Sequence, residues 1–398
     1  TDGTYSVQVK VTDKRNQEGF GTATGLVILD NAAPVVTVGT PSTHLYRKTG
    51  EMVDVGFTFI ETNPDTFLVE ILNDGGVIGS KTGTLIAGDN SWAGTVNITG
   101  TADGVYKVKV TVTDEVGLTG SNTAPGTVTL DNIQPTVDIT FPLSGTVYTK
   151  TPGTITVTFT YAETNPATIT VTIGTTTAIG TATGTPQSDV VQIANGFGTA
   201  SVYIDDTPAD GTYNVTVEII DMVELSGVDT ENGAVWVDNT PPVMSSVIMP
   251  GSGTMVTGTQ TVTATAQDDQ TGITQVIFYW GNNNIGIVNQ VTSPEQVGTY
   301  TFEWNTQLLS DGTFDLFAVA YDQAGNCATS TIPHQVLVDN NAPVVNITFP
   351  TETNKAYSSS DTGSLTVYFT YTEARLSTTT VRLLLGDTIY ASVTSTLL

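Results

Sequence analysis

Apolar residues recur along this chain at every second position, in short runs separated by clusters of Gly, Asn, Asp and Pro, and the runs themselves recur. Tyr106, Val108, Val110 and Val112 alternate with Lys107, Lys109, Thr111 and Thr113, the period of a strand with one buried face. Each such run opens on Asp-Gly: Asp2-Gly3-Thr4-Tyr5, Asp103-Gly104-Val105-Tyr106, Asp210-Gly211-Thr212-Tyr213 and Asp311-Gly312-Thr313-Phe314. It closes on a second acid, Asp13, Asp114, Asp221 or Asp322. A third acid followed by Asn comes about seventeen residues later: Asp30-Asn31, Asp131-Asn132, Asp238-Asn239 and Asp339-Asn340. This third acid recurs at spacings of 101, 107 and 101 residues (131−30, 238−131, 339−238), so the chain is a tandem repeat.

A period near one hundred residues is too long for a solenoid unit and suits one immunoglobulin-like sandwich. The predicted fold is all-β: tandem immunoglobulin-like β-sandwich domains forming an elongated rod. The spacing divides the chain into the second half of a repeat (1–30), three whole repeats (31–131, 132–238, 239–339) and the first half of another (340–398). These broken ends read as an interior piece of a larger precursor, or as halves that complete one another between copies. In the first whole repeat, strands are predicted at 34–38, 54–60, 67–72, 92–99, 105–113 and 126–130. Asp-Gly-x-Tyr opening a strand fits the tyrosine corner of such sandwiches. Linkers are short and end in Pro34, Pro135, Pro241-Pro242 and Pro343, which stiffens each crossing.

In that topology the loop between the fifth and sixth of these strands and the end of the second strand both lie where the chain enters a domain. Three acids from distant parts of the sequence are therefore expected at every joint. The first would gather Asp30, Glu61 and Asp114; the second Asp131, Glu163 and Asp221; the third Asp238, Asp268, Asp269 and Asp322; the fourth Asp339 and Glu373. Crowded carboxylates repel unless a cation intervenes, and Ca²⁺ takes six to eight oxygens in adaptable geometry. Interdomain Ca²⁺ stiffening the rod is the expectation. Asp in Asp-Gly turns and in Asp-Asn before Pro is also an ordinary turn former, so convergence carries the metal reading and no single acid does. Asp205, Asp206 and Asp210 form a separate acidic cluster.

Composition narrows the partners. The formal charge is −27, from 39 acids against 12 bases, which speaks against nucleic acid, whose phosphates need Lys and Arg. Cys327 is the one cysteine, so no internal disulfide framework exists. No stretch approaches eighteen apolar residues, so no membrane span is expected. His44 and His334 are the only imidazoles and have no Cys or His neighbours in sequence, which disfavours a transition-metal site. No nucleophile has a nearby base and no Gly-rich loop opens a helix, so the chain reads as non-catalytic. Asn97, Asn214 and Asn346 head N-glycosylation patterns, with Asn214 on the outward phase of its strand.

Tyr321-Asp322-Gln323-Ala324-Gly325-Asn326, preceded by Asp311-Gly312-Thr313-Phe314 and followed by Val338-Asp339-Asn340-Asn341-Ala342-Pro343, resembles the bacterial Ig-like repeats of large cell-surface adhesins and surface-layer proteins. The other copies carry the same three motifs over nearly the whole chain. The resemblance implies an extracellular spacer whose joint acids hold calcium. Phe314 departs from it, lacking the corner hydroxyl, and the Ala-Gly-Asn turn occurs only in the third whole repeat.

Three functions follow as expectations: the stalk of a cell-surface adhesin, a self-assembling surface layer or fibre with lateral or head-to-tail contacts between neighbouring copies, and a glycan-binding array with Trp92, Trp304 and Tyr279 as platform. The third whole repeat adds a candidate lateral contact. Alternation puts Val276, Phe278 and Trp280 inward on one strand, leaving Ile277 and Tyr279 outward beside Phe317, Val319 and Tyr321 of its neighbour.

Overall fold

Alternation of Val, Ile and aromatic residues with Thr and Lys gives each strand one face to bury, and two sheets pressing those faces together make a sandwich. The computed structural model describes residues 2–185, 191–245, 247–248, 250–330, 334–351, 365–373 and 375–396. It divides into two compact units, Thr1–Val237 and Asp238–Leu398.

The first unit begins with an exposed antiparallel hairpin of β1 (Gly3–Thr12) and β2 (Glu18–Leu29). Next come β3 (Val35–Thr40), β4 (Leu45–Arg47), β5 (Met52–Ile60), β6 (Pro64–Asn73), β7 (Gly76–Thr84), β8 (Ser91–Asn97), β9 (Gly104–Asp114) and β10 (Thr119–Leu130). They form two sheets, β3-β5-β8 and β4-β10-β9-β6-β7. Only β4 runs parallel to its neighbour, β10, as the chain crosses from one sheet to the other between β3 and β4. The same plan follows downstream. Thr136–Phe141, Gly153–Ala162, Phe197–Ile204 and Val191–Ala194 form one sheet. Val147–Thr149, Ser226–Val237, Gly211–Asp221, Pro166–Gly174 and Ala178–Gly184 form the other.

In the second unit Val243–Met244, Thr259–Gln267 and Gly298–Asn305 make one sheet. Met255–Val256, His334–Val338, Gly312–Asp322, Ile273–Trp280 and Asn283–Asn289 make the other, with Cys327–Thr329 also paired to Gly312–Asp322. Two hairpins close the unit, Val344–Phe349 with Tyr368–Thr372 and Thr378–Leu385 with Thr388–Thr396. Among the described residues, no helix is long and apolar enough to cross a membrane.

Each sandwich has its own core. The first is built on Phe57, Phe59, Phe67, Ile71, Val108 and Val110; the second on Phe159, Ile169, Ile173, Val217 and Ile219; the third on Phe278, Tyr300, Trp304, Leu316 and Val336. Fully burying one such side chain contributes roughly 1.5–3 kcal/mol, so loss of a single core residue is felt by its own sandwich. The strands predicted from periodicity are present. β4 and β7 were not predicted, because β4 is three residues long and β7 carries only Val77 and Ile78 among Gly, Ser, Lys and Thr, of which Ile78 is buried. β10 starts at Thr119, seven residues before the expected point, since its first half is polar and pairs with β9 at the sheet end.

The corner tyrosines do what the motif requires: Tyr106 donates its hydroxyl to the Ala102 carbonyl at 2.6 Å and Tyr213 to that of Ala209 at 2.7 Å. Phe314 has no hydroxyl and packs edge-on against Trp280, with ring centroids 5.0 Å apart.

The linker also touches its own domain through glycine. A Cβ on Gly120 would lie 1.7 Å from the Pro34 carbonyl oxygen, and one on Gly227 would lie 2.0 Å from that of Pro135. Backbone stands where a side chain would go, so only Gly lets the last strand reach the domain entrance. Gly227→Ala is expected to lower stability by roughly 1–3 kcal/mol, read from denaturant unfolding. Gly21→Ala, whose Cβ meets nothing within 4 Å, should change it by no more than about 0.5 kcal/mol. Equal effects from the two would remove the close-approach argument.

Candidate metal sites

Three strand ends and linkers deliver the joint acids. Glu61 follows β5, Asp114 ends β9 and Asp30 follows β2. Glu163 follows Gly153–Ala162, Asp221 ends Gly211–Asp221 and Asp131 follows β10. Asp268 follows Thr259–Gln267, and Asp322 ends Gly312–Asp322. The structure brings these together as three trios, Asp30–Glu61–Asp114, Asp131–Glu163–Asp221 and Asp238–Asp268–Asp322, each offering three carboxylate oxygens within 4.8 Å of one another.

The carboxylates are aimed by hydrogen bonds from their own loops. Glu61 Oε1 accepts from the Thr62 and Asn63 N–H groups at 2.6 and 2.9 Å, and Asp30 Oδ1 from Ala32 N–H at 3.1 Å. Asp114 Oδ1 accepts from Val116 and Leu118 N–H at 3.0 and 2.9 Å. In the second trio Glu163 Oε1 accepts from Asn165 N–H at 2.6 Å, while the Asn165 side-chain amide donates to Asp131 Oδ2 at 3.0 Å. Asp221 Oδ1 accepts from Val223 and Leu225 N–H at 2.8 and 2.9 Å.

What these bonds leave over is informative. Asp114 and Asp221 are each only 1% exposed, and the second oxygen of both, Oδ2, is buried with no hydrogen-bond partner among the described residues. A buried charged acceptor left alone costs more than an ordinary lost hydrogen bond. The ion pairs of Lys10 with Glu18 and of Arg47 with Glu51 involve none of the six acids of the first two trios. Burial pushes the Glu163 carboxyl above its ordinary range, and the neighbouring charges of Asp131 and Asp221 push the same way. Burial likewise raises Asp322, with Asp238 and Asp268 adding to it.

The donor set is all oxygen, from carboxylates on loops that can also present carbonyls and amides. That suits a hard cation such as Ca²⁺ and lacks the thiolate or imidazole of a zinc or copper site. At the first trio an open cleft of about 410 Å³ is lined by Asp30 and Glu61 together with residues 2–4, 28, 29, 32, 33, 35, 60, 62 and 63, leaving room for water ligands.

Other sequence-predicted residues lie elsewhere. Asp269 is exposed, outside the third trio, and accepts from Gln267 Nε2. Asp339 and Glu373 are half-buried and belong to no trio; Glu373 Oε1 accepts from Arg375 N–H at 2.8 Å. Asp205 bonds the Thr207 hydroxyl and N–H, which lowers its pKa and makes it a turn residue. Trp304 is buried at 4% exposure and Trp92 packs on Phe57 and Phe67, so neither offers the glycan platform expected of it. Asn214 is half-buried, and its side-chain oxygen accepts from Gly233 N–H.

Ile277, Tyr279, Phe317, Val319 and Tyr321 do lie on the outward side of their sheet, each half-buried. Ile277 faces Val319, and Tyr279 stacks on Phe317 with centroids 5.1 Å apart. The corresponding pairs are Leu68–Thr111 and Glu70–Lys109 in the first sandwich, and Thr170–Glu218 and Thr172–Thr216 in the second.

Sequence reasoning missed the role of the opening Asp. Asp103 Oδ1 accepts both the N–H and the side-chain amide of Asn132, at 2.9 and 2.7 Å. Asp2 holds Asn31 in the same way, and Asp311 accepts from the Asn340 N–H and the Asn341 amide, which lowers its pKa. The signal was the constant spacing of 29 residues between the two motifs.

Residues 242–318 match the family described as Bacterial Ig domain, and residues 298–384 match Bacterial Ig-like domain (group 3). No curated protein matches the chain. Solved structures similar to it include the fibronectin(III)-like modules of Clostridium thermocellum CbhA, at 18% identity over 51% of this chain and 93% of that one, with a TM-score of 0.27. Another is a tetra-tandem repeat in the extending region of a large adhesion protein, at 20% identity over 85% and 82% with a TM-score of 0.30. A third is the N-terminal eight Ig domains of Down Syndrome Cell Adhesion Molecule, at 13% identity over 86% and 47% with a TM-score of 0.28. Residues 242–384 thus match bacterial Ig-like domain families, and sandwiches of the same two-sheet plan precede them in the chain.

Proposed function

We propose that this chain is a non-catalytic spacer of an extracellular bacterial surface protein, of the kind found in an adhesin stalk, whose successive domains are stiffened by Ca²⁺ held between them. The observation that carries the reading is the pair of buried, unpartnered oxygens, Asp114 Oδ2 and Asp221 Oδ2, each in a trio that also draws an acid from the preceding linker. A cation at such a trio joins the linker to the domain it enters. It binds the docked joint and not the loose one, so it stabilises docking by linkage, about 2.7 kcal/mol at a hundredfold excess over its dissociation constant.

Bacterial Ig-like family membership supports the surface location. The charge of −27 supports a chain that stays apart from its neighbours in solution. Partners on this reading are adjoining domains of the same protein, with ligand binding done elsewhere.

Chelation of the full chain is expected to lower its melting temperature and to broaden its distribution of end-to-end distances by small-angle scattering, both reversed by Ca²⁺ and not by Mg²⁺ at equal concentration. Identical melting and scattering curves with EDTA and with Ca²⁺ would defeat the proposal.

The pH dependence has a definite sign. The Glu163 carboxyl is raised above its ordinary 4.5 by burial and like charge. The cation-free folded state therefore holds a proton that the unfolded chain has released, and its stability falls as pH rises through that window. Calcium removes the penalty only where the proton has left. The increment in melting temperature given by Ca²⁺ should grow with pH just above 4.5 and level off at neutral pH; in Glu163→Gln it should be smaller. An increment independent of pH across that window would contradict this account.

A further inference from the structure

The strand-ending acids of the three trios accept the same backbone N–H, and one side chain beside them sets the third apart. Four residues after the strand-ending acid stand Leu118, Leu225 and Asn326. All three donate a backbone N–H to the Oδ1 of that acid, at 2.9, 2.9 and 2.8 Å. Only Asn326 has a side chain that can reach further. Its amide donates to Asp322 Oδ2 at 2.9 Å and to the Asp238 backbone carbonyl at 2.8 Å, and the residue is 8% exposed. The oxygen that is left alone in Asp114 and Asp221 is thus satisfied in Asp322.

The rest of the third trio is closed in the same manner. Thr271 donates its hydroxyl to Asp238 Oδ2 at 2.6 Å. Asp268 Oδ1 accepts the N–H groups of Gln270, Thr271 and Gly272, at 3.0, 2.6 and 2.8 Å. Several backbone N–H groups on one carboxylate stabilise its charge strongly, and hydrogen bonds to ionised acceptors are the stronger kind. A cation entering here would have to compete with donors already in place, whereas at Asp114 and Asp221 it would meet an acceptor with none.

We infer that Asn326 stands in for the cation at Asp238–Asp268–Asp322, so that this trio keeps its geometry without metal while the other two trios bind Ca²⁺. The inference rests on the calcium reading above and divides its sites. Asn326 is a specificity-determining residue on this view: leucine at its position leaves a cation seat, and asparagine fills one.

The test is the number of Ca²⁺ ions bound tightly per full-length chain, measured by isothermal titration after chelator stripping, with Tb³⁺ luminescence as a second count. Two ions are expected for the unmodified chain. Leu118→Asn and Leu225→Asn should each reduce the number by one, and Asn326→Leu should raise it by one. The two Leu→Asn variants keep the test alive if Asn326→Leu does not fold. Three ions on the unmodified chain, or a count that none of the substitutions changes, would overturn the role of Asn326 and leave the calcium reading standing. No ions on the unmodified chain would remove the calcium reading itself, and this inference with it.

Discussion

Mutual repulsion of carboxylates is the constraint around which each joint is built. Three oxygens from three separate acids lie within 4.8 Å of one another, and the Lys10–Glu18 and Arg47–Glu51 ion pairs leave the six acids of the first two trios aside. At an effective dielectric constant near 20 each pair of charges at such a distance costs about 3–4 kcal/mol, less where water reaches Asp30 and Glu61. A fold that is marginally stable overall does not carry such a cost several times over without an offset. At the third trio the Asn326 amide supplies an offset; at the first two trios the proposed cation would supply it.

The sandwich makes the crowding unavoidable. β5 and β9 lie in different sheets of one domain and both end at the edge where the preceding linker arrives. The linker is held on its own account, since Asp2, Asp103 and Asp311 each grip the Asn that follows the linker acid. Gly120 and Gly227 let the last strand pass against the Pro34 and Pro135 carbonyls. Linker, corner and strand ends therefore fix one another through backbone contacts. The acids ride on these elements, and their meeting follows from the topology.

Much of this was legible in the residues. Period-two runs placed the central strands. Because repeated topology brings strand ends to one edge, the sequence groups nine of the twelve named acids as the structure does. Edge strands escaped, since a run such as Gly76–Thr84 with two apolar residues looks like a loop until a neighbour pairs with it. Trp304 shares the period-two phase of Tyr300 and Phe302 along Gly298–Asn305, so its inward face is legible in that alternation once the run is read as a strand. Asp269 was joined to the third site because adjacent acids cannot be told apart by spacing, yet successive residues point different ways and only Asp268 turns inward. The turn sequence singles out Asn326, but its contact with Asp322 and Asp238 exists only in three dimensions.

The claim at the centre of this account is that a divalent ion sits among Asp30, Glu61 and Asp114, and another among Asp131, Glu163 and Asp221. A crystal structure grown in Ca²⁺, with anomalous difference maps to identify the metal, tests it most directly. The account predicts one calcium peak in each of these two trios, with Asp114 Oδ2 and Asp221 Oδ2 among its ligands at about 2.3–2.6 Å. Trios with no anomalous peak, their carboxylates turned apart into solvent in saturating Ca²⁺, would contradict it.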